Sequence, residues 1–119
     1  MKELSRSRLD ALVAEQEGLA CVDRETIEAI QLVKLNRLLA REKARGGFYR
    51  ELPEHLDSLA GLCALPFTSE EDLARRAAGM LLCSQGEVQR VLSDATSGTT
   101  GTAKRVFYTE GDLEKTVRL

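Results

Sequence analysis

A glycine- and hydroxyl-rich run, Thr96-Ser97-Gly98-Thr99-Thr100-Gly101-Thr102-Ala103-Lys104-Arg105, lies between two stretches that favour β-strand. The strand character comes from Val88, Val91 and Leu92 before the run and from Val106, Phe107 and Tyr108 after it. Two such stretches joined by a glycine-containing connection read as a hairpin. Glycine reaches dihedrals that other residues avoid and lets the backbone approach a ligand closely. The hydroxyls add donors, and Lys104 offers a compact charge for phosphate oxygens. A P-loop would close on Gly-Lys-Ser/Thr, whereas here Ala103 precedes Lys104 and Arg105 follows it. A dinucleotide fingerprint would open a helix, whereas Arg105-Val106-Phe107-Tyr108-Thr109 reads as strand. Two readings stay open at this point: a loop that binds polyphosphate, and a polar hairpin connection with no ligand.

Upstream of the hairpin the pattern is helical. Residues 5–17 carry Leu9, Leu12 and Val13 on one face, with Gly18 as a stop. Asp23 caps a longer helix, with Glu25 and Glu28 early and Lys43 and Arg45 late, as the helix dipole favours; Gly46-Gly47 ends it. Ile27, Ile30 and Val33 line one side of that helix, and Leu32, Leu35 and Leu39 line nearly the opposite side. Two stripes call for cover on two sides, as does the central helix of a small bundle. Residues 48–67 are irregular, broken by Pro53 and Pro66, and one or two helical turns turn the leucines at 56, 59, 62 and 65 inward. A leucine-rich repeat would need a second copy of that spacing, and there is none. Thr68-Ser69-Glu70-Glu71 is a capping-box pattern that predicts a helix over 68–80, with Leu73, Ala77 and Met80 or Leu81 inward and Arg75 and Arg76 outward. After the hairpin, Thr109-Glu110-Gly111-Asp112 starts another helix, with Leu113 and Val117 a turn apart. It reaches Leu119 without a cap or breaker, which reads as a helix cut short.

The length of 119 residues allows one domain at most, able to bury about 65% of its unfolded surface. Charged residues make up 30% of the chain and the net charge is −2, so there is no basic footprint for nucleic acid. No apolar run approaches the ~18 residues of a membrane helix, and no signal-peptide segment opens the sequence. Cys21, Cys63 and Cys83 are odd in number and far apart, and His55 is the only histidine, a solvated loop residue on this reading. Neither a disulfide framework nor a zinc site is expected from them. They read as buried or half-buried thiols of a cytoplasmic protein.

The run Ser97-Gly98-Thr99-Thr100-Gly101-x-x-Lys104 followed by a β-rich stretch resembles the phosphate-binding loop of the adenylate-forming enzymes, the AMP-binding acyl-CoA synthetases and their relatives. Upstream, Phe48-Tyr49-Arg50 and Leu65-Pro66-Phe67-Thr68 with Asp72-Leu73 resemble, in the same order and at similar spacing, the amino-terminal third of phenylacetate-CoA ligases. The resemblance covers about residues 27–109. One departure is Ala103, where the family usually carries proline.

The resemblance implies an ATP-dependent carboxylic acid–CoA ligase that uses ATP, Mg2+ and coenzyme A. The acid attacks the α-phosphate to give an acyl-adenylate and pyrophosphate, and the coenzyme A thiol then displaces AMP. It implies that Thr96, Ser97, Gly98, Thr99, Thr100 and Gly101 bind the nucleotide's phosphates, with Gly98 and Gly101 closing the backbone on the oxygens and Ser97, Thr99 and Thr100 donating hydroxyl bonds. Lys104 would offset charge as pyrophosphate departs; no metal ligand is assigned. Arg105 has a weaker claim, a solvated strand residue being the plainer reading. Family members are several times longer, and their adenine, ribose, acyl and magnesium sites lie beyond the matching segment. The expectation is therefore an α+β piece of a larger adenylate-forming fold: a helical region over 1–87, then strand, loop, strand and the start of a helix over 88–119. Alone it should be inactive, and with its surfaces uncovered it should associate as a homo-oligomer. The alternatives are a free-standing helical interaction module and a small nucleotide-binding regulator.

Overall fold

The computed structural model describes residues 7–94 and 103–118. Helix starts are set by side chains three residues apart. Before α1 (Arg8–Glu17) the Ser7 hydroxyl accepts the Asp10 N–H at 3.1 Å, and Asp10 accepts the Ser7 N–H in return. Helix α1 therefore begins three residues later than the pattern implied. Gly18 stops it at φ 66°, a left-handed conformation that costs glycine little. Asp23 caps α2 (Arg24–Arg45) by accepting the Thr26 N–H at 2.8 Å, and Gly46 closes it at φ 62°.

Helix α2 is covered on two sides by different neighbours. Toward α1, Ile27 and Ile30 are half-buried around a crevice of about 150 Å3 shared with Val13 and Leu19, and Lys34 pairs with Glu17 across it. Toward the irregular segment, Leu39 and Leu56 are buried. Asn36 fixes this second contact: its side chain accepts the Leu56 N–H at 2.8 Å and donates to the Leu56 C=O at 3.0 Å. Val33 stays exposed, so one stripe is covered only in part. A 3-10 helix over Leu59–Ala64 follows, and Leu62 within it is exposed rather than turned inward.

The helix expected over 68–80 is interrupted. Helix α3 spans Glu70–Arg75, and a 3-10 turn over Ala77–Met80 follows. Arg76 leaves helical geometry, Gly79 is a poor helix former, and the Gly79 carbonyl is taken by the Phe48 N–H at 3.2 Å. The capping box is Ser69 with Asp72, not Thr68 with Glu71, because the Thr68 hydroxyl lies 2.6 Å from the Tyr49 hydroxyl. Ala74 and Ala77 are the buried residues of this region, with Leu73 and Met80 half-buried. Phe48 packs edge-on to Tyr49 and lies under the Arg76 guanidinium, so residues 48–49, 68–69 and 76–80 form one knot at the end of α2.

Strands β1 (Val88–Asp94) and β2 (Lys104–Thr109) pair antiparallel, from Val88 opposite Thr109 to Asp94 opposite Lys104, with a bulge between Val88 and Arg90. Thr109 then opens α4 (Glu110–Arg118), its N–H and hydroxyl both donating to Asp112 at 2.9 Å. The architecture is the α+β arrangement expected, mostly helical with a hairpin near the carboxyl end. Cys21 and Cys63 are exposed, which corrects the expectation of shielded thiols for those two, while Cys83 is half-buried as expected. No described helix is long and apolar enough to cross a membrane.

The core is thin. Among the described residues the buried apolar side chains are Leu39, Leu56, Ala74 and Ala77. The chain exposes 9627 Å2, about half as much again as the ~6,400 Å2 of a compact protein of this mass. Phe67 is fully exposed, and Val91, Leu92 and Val106 leave the hairpin apolar on its open surface.

One buried group works against the fold. Glu42 is 6% exposed, and its Oε2 has no hydrogen-bond partner. Burial raises its pKa above the ordinary 4.5, partly opposed by a hydrogen bond from the Tyr49 backbone N–H. A carboxyl whose folded pKa is raised supports folding fully below the unfolded value and loses that support as pH climbs through the folded value. Glu42→Gln is therefore expected to melt above the parent at pH 7 and to converge with it near pH 4. Asp23, Asp72, Glu87 and Asp112 titrate the other way, held down mainly by cap hydrogen bonds, but they are common to both proteins and cancel in the difference. An identical melting gap at both pH values would show that Glu42 carries no such penalty.

Candidate functional site

Lys104 is the first residue of β2 and faces Asp94 in the register, so the two strands meet at the foot of the glycine-rich connection. Thr96, Ser97, Gly98, Thr99, Thr100 and Gly101 lie outside the described residues. What the structure gives of the candidate site is therefore its lysine and the strand ends that hold the connection.

The lysine is engaged. Its Nζ donates to Glu70 Oε1 at 2.8 Å, and its side chain is 29% exposed against 79% for Glu70. Glu70 is the first residue of α3, which packs against β2. The Ser69–Asp72 box fixes that first turn through the Ser69 N–H at 3.0 Å, the Ser69 hydroxyl at 2.8 Å and the Asp72 N–H at 3.1 Å. These bonds from Ser69, backbone first, hold the Asp72 carboxyl below its ordinary range. Arg105, next along the strand, is exposed opposite Ser93, which fits the solvated reading.

A groove of about 350 Å3 is lined by residues of α2, the segment from Met80 to Cys83, both strands and α4. Arg41 and Asp112 supply opposite charges at its rim, while Met80, Leu81, Val88 and Phe107 make its apolar floor. The Asp112 carboxyl is held low by the Thr109 backbone and then hydroxyl bonds, and so is committed to capping α4.

Sequence reasoning missed Glu70 as a neighbour of Lys104. The two residues are 34 positions apart, and only the docking of α3 on β2 brings them together. The stretches whose resemblance was noted do meet: Tyr49 and Thr68 share a hydrogen bond, and the same knot leads into α3 and so to Lys104. Among the described residues no three of His, Cys, Asp or Glu converge to hold a metal ion.

No family model matches the chain. It is 36% identical over 107 residues to a phenylacetate-coenzyme A ligase of Thermus thermophilus, a match that covers 83% of this chain and 24% of that protein. The chain thus spans about a quarter of the length of the curated relative it matches, and the relationship is distant and partial.

Proposed function

We propose that this chain is the amino-terminal part of an acid–CoA ligase that forms an acyl-adenylate and then a coenzyme A thioester. The observation that carries the reading is the match to the Thermus ligase, which runs through most of this chain. ATP, Mg2+ and coenzyme A come with that reading. The reading of ATP is supported by the position of Lys104, a cation at the foot of the glycine-rich connection, where a polyphosphate needs one. The chain's own contribution is charge from Lys104 together with the hairpin that carries it.

Two measurements test the proposal. A chimera in which residues 27–109 replace the matching segment of the Thermus ligase is expected to release pyrophosphate with ATP, magnesium and phenylacetate; a folded chimera that does not adenylate rejects it. The purified 119-residue chain is expected to show no acid-dependent pyrophosphate release and to run as an oligomer by light scattering. Sustained turnover would overturn its assignment as a part.

A further inference from the structure

We propose that Glu70 is a positioning residue for Lys104: its carboxylate holds the Nζ at the foot of the hairpin in the unloaded protein and yields it to an incoming polyphosphate. The inference rests on the reading of Lys104 as a phosphate-binding lysine and adds the group with which the phosphate must compete. The geometry is direct. The Nζ sits 2.8 Å from Glu70 Oε1 while most of the lysine stem is shielded, so the cation is presented in one place rather than swept through solvent. Glu70 is itself placed by a capped first turn.

The exchange is favourable because the resident bond is weak. Glu70 is largely exposed, and ion pairs open to water hold their partners loosely. A polyphosphate brings several negative charges against one and can recruit the lysine away. While Glu70 remains, its charge both occupies the Nζ and repels the newcomer. It therefore keeps Lys104 ordered at the expense of affinity.

The test is calorimetric titration of the 119-residue chain with inorganic tripolyphosphate at low salt. Glu70→Gln keeps the Ser69–Asp72 cap and is expected to bind about two- to fivefold more tightly than the parent, the range of an exposed ion pair released. Glu71→Gln removes the same charge one position along, where its partner is Arg75 at 3.3 Å, and is expected to change affinity by less than half as much. Placed on Lys104→Ala, Glu70→Gln should do no more than Glu71→Gln. Affinity that is unchanged or weaker in Glu70→Gln, or raised equally by the two glutamines, overturns the role of Glu70 while leaving a Lys104-dependent site intact. Binding that is absent, or indifferent to Lys104→Ala, removes the phosphate site and the role of Glu70 with it.

Discussion

Lys104→Ala, introduced into the chimeric ligase, is expected to slow acyl-adenylate formation by roughly ten- to a thousandfold, the range for removing one preorganised charge contact from a transition state. The thioester-forming step should lose far less. The charge that Lys104 offsets exists only while pyrophosphate departs, and an interaction made in one transition state is felt in that step alone. Folding is not the confounder here, since the Lys104–Glu70 pair lies near the surface and adds little to stability. Rapid-quench assays of each half-reaction separate the two. Equal losses in both steps, or none in either, would reject the assignment.

Leu39→Ala should be the most damaging single substitution for the fold. Leu39 is 4% exposed, and among the other described residues that are buried and apolar only Leu56 is comparably large. A buried leucine cut back to alanine costs about 2–5 kcal/mol, a large fraction of the ~5 kcal/mol available to a small, thinly cored protein. The loss should concentrate where α2 meets residues 56–64, and amide exchange there should accelerate more than in α1 or the hairpin. Val33→Ala on the same helix is the control: Val33 is 51% exposed and should be nearly silent. Comparable melting shifts in the two variants would show that the Leu39 contact is not the centre of the core.

How much of this was legible beforehand depends on how local the cause is. Gly18 announced the end of α1, and Asp23 and Gly46 both ends of α2, because a cap needs only its own few residues. Lys104–Thr109 was legible as a strand from its aromatic and β-branched content. The end of α3 was not: Arg76 leaves helical geometry there, and the turn that follows is tied by its Gly79 carbonyl to the Phe48 N–H, 31 positions away. Asn36 and Glu42 belong to no motif of the sequence. They lie three before and three after Leu39 on one face, so the second apolar stripe continues through both. Only the tertiary structure shows that one clamps Leu56 and the other is buried with a free oxygen. The candidate site divides the same way: the lysine and its loop were readable as a motif, whereas Glu70 arrives by packing.

Each of the starts at Ser7, Ser69, Thr109 and Ser84, the last before a 3-10 turn over Gln85–Glu87, is closed by a hydroxyl and a carboxyl three residues apart, and the start at Asp23 by a carboxylate on Thr26. These contacts form without any chain folding back on itself, so they escape the loop-closure entropy that slows long-range pairing. Local caps and long-range docking thus differ in what they require, and we expect turns and helix ends to form before the meeting of α2, α3 and the hairpin. Heating should retrace that sequence, dissolving the docking while helical segments persist.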